Sequence, residues 1–263
     1  MRNMLRVWLV LLLLALSASF TCQAQIEVKE LTTRPGVTIR FVYAKAVNPV
    51  ASAVLFQGGT GNIGIFPNGS INRESFLSGG AHRFTQNGIS VVIPDVPSDR
   101  NGLHDFRDTP EHAQDNLVLI EFLRKESKNP VWAIGTSNGS LSAAAASTHL
   151  KANGPDGIVL TSSVTKSPVS SAHPVTAAPL DKIKVPVLII HHKYDGCTVS
   201  PYDAVPGLVA AFKSARKIEL ITVEGGTGGG ACNAGSHTFL GIEDAVTKEI
   251  AEWIKRYQFI PAR

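Results

Sequence analysis

Three residues far apart in the chain could together cleave an acyl bond: Ser137, Asp195 and His237. Ser137 stands in the stretch WAIGTSNGSLSA, with Gly135 and Gly139 two positions away on either side. A serine hydroxyl is a poor nucleophile by itself. It needs a base to take its proton, and the base works best when a carboxylate fixes its tautomer and steadies its cationic form. Asp195 follows the apolar run 187–190 within HHKYDG, and His237 ends the glycine-rich stretch 225–236. The competing reading makes Ser137 only a polar residue in a tight turn, because Gly and Ser both favour turns and the five-residue pattern alone is weak.

Position decides between the two readings, and position depends on the elements around these residues. The stretches 26–31 and 38–43 are β-rich and flank Pro35-Gly36, which predicts an antiparallel hairpin. The runs 53–56, 91–93, 131–134, 158–160, 187–190 and 218–223 are short and apolar, mostly bounded by Pro, Gly or polar residues. Runs without alternation suit strands buried on both faces of a parallel sheet. Helical patterns fall between them, at 74–86, 109–128, 140–151, 203–215 and 242–257. The second is the strongest, with Thr109 as a cap, Pro110 in the first turn and Leu117, Ile120 and Leu123 on one face. Strands alternating with helices imply right-handed crossovers and a doubly wound α/β sheet, in which ligands bind beyond the carboxyl ends of the strands. Ser137 then sits on a sharp strand-to-helix turn, where large neighbours would clash with the packed strand and helix.

With these features in place the chain resembles the α/β-hydrolase family over almost its whole length after residue 24. The resemblance rests on G-T-S-N-G at the elbow, Asp195 after the next-to-last strand and His237 before the last helix, in that order. The other acid position used in the family, after the strand that follows the nucleophile helix, reads Thr161-Ser162-Ser163 and holds no carboxylate. The resemblance implies a Ser-His-Asp triad acting through an acyl-enzyme on carboxylic esters. Peptidase and thioesterase activities share that triad, and a catalytically silent binding protein on the same fold stays open. It also implies two backbone donors for the oxyanion, Asn138 after the nucleophile and a residue of Gln57-Gly58-Gly59-Thr60-Gly61, with Gly59 the first choice and Thr60 the second. Gln57 departs from the His-Gly that the family often has there. About twenty residues, 164–185, stand where many members insert a lid domain, too few for an independent one. The pocket is expected to be open, with a rim from 61–73 (Ile65 and Phe66 among its residues), 97–103 and 167–173, and to suit a small-molecule ester.

The N-terminus reads as a separate unit. Arg2 and Arg6 precede the apolar run 7–16, and Cys22-Gln23-Ala24 offers small residues for a cut after Ala24, so residues 1–24 read as a signal peptide and 25–263 as one domain. The apolar run is shorter than the roughly 20 residues of a membrane span, so no stable membrane anchor is expected after cleavage and the protein is placed outside the cytoplasm, secreted or periplasmic. In that oxidising setting Cys197 and Cys232 are expected to pair, with two buried free thiols as the alternative. The bridge would tie the Asp195 loop to the loop that delivers His237, so reduction is expected to lower activity before it unfolds the protein. The formal charge of +4 is small, and its cations are scattered along the sequence, which argues against a nucleic-acid partner. The histidines show no ligand spacing, so neither metal nor cofactor is expected. Composition sets no oligomeric state.

Overall fold

The computed structural model describes residues 25–167 and 173–257; the signal-peptide expectation, 1–24, and the rim residues 168–172 lie outside them. One eight-stranded sheet organises the chain, in the order β1-β2-β4-β3-β5-β6-β7-β8. The strands are β1 (Gln25–Arg34), β2 (Val37–Lys45), β3 (Ala51–Phe56), β4 (Ile89–Pro97), β5 (Val131–Thr136), β6 (Gly157–Thr161), β7 (Val187–His192) and β8 (Ile218–Val223). The first two form the expected antiparallel hairpin, with Gly36 at φ +72° in its turn. β2 also runs antiparallel to β4, and from β4 through β3 to β8 every pairing is parallel.

Burial follows from this layout. Every residue of β3, β5, β6 and β7 is buried, because helices cover both faces of the central sheet. β8 is an edge strand and is only partly buried. Side chains alternate between two apolar layers: Val131, Ala133, Val187 and Ile189 face one, Trp132, Ile134, Leu188 and Ile190 the other. The first layer is closed by α2 (Pro110–Glu126), α3 (Gly139–Leu150) and α4 (Val205–Ala211), the second by α1 (Ala81–Gln86) and α5 (Glu243–Tyr257).

The helix α2 begins as its sequence predicts. Thr109 adopts extended backbone and its hydroxyl accepts from the His112 N–H at 3.2 Å, with Pro110 in the first turn. Two helices are shorter than the periodicity suggests. Only 81–86 of the 74–86 stretch is helical. The Ser78 hydroxyl takes the Ser75 N–H at 2.9 Å and donates to the Arg73 carbonyl at 3.1 Å, while the Gln57 side chain accepts the Ser78 N–H. These local bonds hold the backbone out of a helix. Of 203–215, only α4 is α-helical, entered through a 3-10 turn at Tyr202–Ala204 with Pro206 in the first helical turn.

Candidate active site

Parallel strands that all run one way bring the loops following β3, β5, β7 and β8 to one end of the sheet, and the residues singled out in the sequence sit in those loops. Ser137 follows β5 and has φ +52°, a left-handed conformation that a non-glycine residue adopts only under constraint from its surroundings. Its N–H donates to the Thr161 carbonyl at 2.9 Å, and its carbonyl accepts the Ser140 N–H at 3.0 Å as α3 starts. The flanking glycine is sterically required: a Cβ on Gly139 would run into the Phe56 carbonyl. Gly58, across from the elbow, lies so close that a Cβ there would stand 2.9 Å from the Ser137 Cβ.

Asp195 and His237, 42 residues apart, meet at this end. His237 Nδ1 lies 2.9 Å from Asp195 Oδ2. An ionised carboxylate only accepts, so Nδ1 carries the proton and the Nε2 lone pair is left free. That Nε2 is buried and has no hydrogen-bond partner among the described residues, so the Ser137 hydroxyl is not bonded to it in this structure. The 3-10 turn Gly235–Thr238 presents the ring, and the Ser162 hydroxyl donates to the His237 carbonyl at 2.8 Å. The stretch after β6 that lacks an acid therefore does something else. Its hydroxyls are ties: Thr161 to the Gly135 carbonyl, Ser162 to the His237 backbone, and Ser163 to the Ser140 hydroxyl at 2.9 Å.

Two neighbours of Asp195 escaped the sequence reading. His191, assigned no role there, places Nε2 3.3 Å from Asp195 Oδ2 and 2.9 Å from the Ser200 carbonyl. The Ser200 hydroxyl donates to Asp195 Oδ2 at 3.3 Å and lies 3.1 Å from His237 Nδ1. Asp195 Oδ1 accepts the Cys197 N–H at 2.9 Å. Burial alone would raise the Asp195 carboxyl, but donation from His191, His237 and the Cys197 N–H outweighs it and holds the group well below the usual carboxylate range. The one available signal was a histidine four residues before the acid; nothing marked Ser200.

Cys197 and Cys232 form the expected disulfide, with Cα atoms 4.5 Å apart. Gly59, the first-choice oxyanion donor, has φ +57° and its carbonyl accepts from the Asn138 side chain at 3.2 Å. Gln57, the departure from His-Gly, pins the 75–78 turn through both ends of its amide. The rim residues separate. Phe66 is half exposed, whereas Ile65 is buried in the second apolar layer, its N–H on the Asp95 carboxylate together with those of Ile63 and Gly64. Ile65 thus holds the rim loop and does not offer a surface from it. Among the described residues no group of three His, Cys, Asp or Glu could hold a metal ion.

No family model matches the sequence, and no curated protein does. Solved structures do. A dienelactone hydrolase from Anabaena variabilis superposes with a TM-score of 0.64 at 15% identity, covering 90% of this chain and 99% of its own. The esterase Pf2001 of Pyrococcus furiosus gives 0.67 at 15% identity, covering 89% and 92%. Est1E of Butyrivibrio proteoclasticus gives 0.60 at 14%, covering 88% and 98%. The chain has the α/β-hydrolase fold. Within that α/β-hydrolase fold the described residues between β6 and β7 hold only two 3-10 turns, Val175–Ala177 and Leu180–Lys182, and no separate lid domain.

Proposed function

We propose that the protein is a serine hydrolase of carboxylic esters, exported by a signal peptide cut after Ala24. The observation that carries this reading is the Asp195–His237 pair, at the same sheet end as the strained elbow of Ser137, with the His237 Nε2 lone pair unpartnered. In this reading Ser137 Oγ attacks the ester carbonyl while its proton passes to His237 Nε2. Asp195 keeps the ring in the Nδ1–H tautomer and stabilises the imidazolium, and His191 and Ser200 keep Asp195 ionised and in place. The backbone N–H groups of Asn138 and Gly59 receive the oxyanion. Collapse of the tetrahedral intermediate expels the alcohol, which leaves with the proton from His237. Water then repeats the sequence on the acyl-enzyme and frees the acid. The choice of esters over amides or thioesters rests on the structural neighbours, two of which are esterases, and on Est1E having been solved with ferulic acid bound.

The missing hydrogen bond between Ser137 and His237 Nε2 favours a second reading, a silent binding protein on this fold, although hydrogen bonds in unliganded active sites often tighten only with substrate. Hydrolysis of p-nitrophenyl esters of increasing acyl length by residues 25–263, beside Ser137→Ala, tests both. Turnover that vanishes in the variant, with fluorophosphonate labelling of Ser137, is the expected result. An inert, unlabelled wild type would leave the silent reading standing.

A further inference from the structure

Among the described residues Arg107 is a buried cation with no carboxylate partner. It lies in the loop between β4 and α2, is 5% exposed, and all its hydrogen bonds go to neutral acceptors. Nη2 donates to the carbonyls of Gln57 at 3.0 Å and Gly59 at 3.2 Å, and Nη1 to the Ser142 hydroxyl at 2.8 Å. Removing a guanidinium from water without a counter-charge is costly, and burial pulls its proton affinity down to about 9. A group held at such cost is placed by something other than general stability.

The acceptors indicate what that is. The Gln57 and Gly59 carbonyls flank the Gly58–Gly59 peptide, whose own carbonyl takes the Gly61 N–H at 3.1 Å. Ser142 is on α3, the helix that Ser137 opens, five residues beyond it. One planar fork therefore spans the loop after β3 and the helix after β5. On its far side Ser142 must accept from Arg107, so the serine proton is directed at His112 Nε2, 3.0 Å away. His112 is buried and, through that burial and the nearby Arg107, pushed down to about 3. The chain of bonds thus has one polarity, with all of its positive charge on the guanidinium.

We propose that Arg107 is the positioning residue of the oxyanion hole, clamping the Gln57–Gly59 backbone to the nucleophile helix so that the loop's N–H groups face the developing charge. The proposal rests on the ester-hydrolase reading above. Donation to a peptide carbonyl strengthens the N–H of the same peptide as a donor. The Gly59 carbonyl shares its peptide with Thr60 N–H, and the Gln57 carbonyl with Gly58 N–H, so both peptides around the Gly59 donor are fixed and polarised. A neutral ester carbonyl gains little from this and the oxyanion gains much, so the effect falls on kcat and not on KM.

The test uses Arg107→Gln and Arg107→Lys in residues 25–263, assayed with p-nitrophenyl acetate. Each is also titrated with phenylboronic acid, which takes up the serine oxygen and presents a tetrahedral anion to the oxyanion donors. The expected result for Arg107→Gln is a kcat lower by about 10²-fold, KM within about threefold, and boronate affinity lost by the same factor as kcat. Arg107→Lys, which keeps charge but not the fork, falls between. A purely structural role would lower the melting temperature or the active fraction without moving boronate affinity in step with kcat. A folded Arg107→Gln with kcat within about threefold of wild type, or with unchanged boronate affinity, overturns the proposal. If Arg107→Gln does not fold, the same two ratios in Arg107→Lys decide. An inert wild type that fluorophosphonate does not label sinks the hydrolase reading, and this proposal with it. An active wild type with indifferent Arg107 variants sinks the Arg107 role alone.

Discussion

His112 makes stability depend on acid in a way that can be calculated. Its ring is buried against Arg107 and Ser142, and its proton affinity falls from 6.5 to about 3 on folding. The unfolded chain therefore binds a proton in this window that the folded chain refuses. Stability from His112 is complete above pH 6.5 and is lost as pH falls from 6.5 towards 3, at about 1.4 kcal/mol per pH unit. Acidification to pH 4.5 should remove about 2.7 kcal/mol, a large share of the roughly 5–15 kcal/mol typical of a folded domain. His112→Gln removes the titration while its amide oxygen can still accept the Ser142 proton. Denaturant midpoints of wild type and variant, measured every half unit from pH 7.5 to 4.5, should converge or cross, with the wild type losing about 2–3 kcal/mol more than the variant. Carboxylates and the other histidines titrate in both proteins and cancel in the difference. Two curves that fall in parallel, within about 0.5 kcal/mol, would refute the argument from burial and charge.

Three further outcomes follow from the geometry. Asp195→Asn should fold but lose about 10⁴-fold in kcat, since an amide can hold His237 in the wrong tautomer; stopped-assay detection limits suffice to read it. Ser200→Ala removes one hydroxyl from between Asp195 and His237, and should lower kcat by about 10-fold with KM unchanged, the scale of one lost hydrogen bond of about 1.4 kcal/mol. Reduction of Cys197–Cys232, which closes a loop of sequence separation 35, should cost up to about 4 kcal/mol of stability. Activity should fall at reductant concentrations that leave the far-ultraviolet circular dichroism unchanged, and equal activity in both redox states would remove the proposed link between the two loops.

The sheet was legible because its signal is local. Six short apolar runs and one β-rich hairpin around Pro35-Gly36 placed the eight strands, and the rule that ligands bind at their carboxyl ends, with the G-T-S-N-G turn, directed attention to Ser137, Asp195 and His237. Helix limits were less legible where side chains compete for the backbone, as Ser78 and Gln57 do before α1. Ser200 and Arg107 carried no signal at all, and His191 only its place four residues before Asp195. Each meets a partner brought near only by folding: His191 meets Asp195, Ser200 both Asp195 and His237, and Arg107 carbonyls 48 and 50 residues away. Periodicity reports which face a residue is on, not which distant backbone group it will meet. Ile65 shows the same limit: its hydropathy suited a rim or a core equally, and the Asp95 carboxylate holding its N–H set the choice.

The sheet also contains a seam. β3 and β5 pair in parallel from Ser52–Val131 to Phe56–Gly135, and the loop of Gly58 and Gly59 lies on one side of that seam while Ser137, Asp195 and His237 lie on the other. Neither part of the chain holds a complete set, so the protein is a natural candidate for a split reporter. A break in the exposed turn at Asp99–Asn101 would leave one fragment with β1 to β4 and the other with every candidate triad residue. Under the proposed ester-hydrolase function, turnover would return only when the two fragments zip along β3–β5, and the colour of released p-nitrophenol would count reassembled molecules.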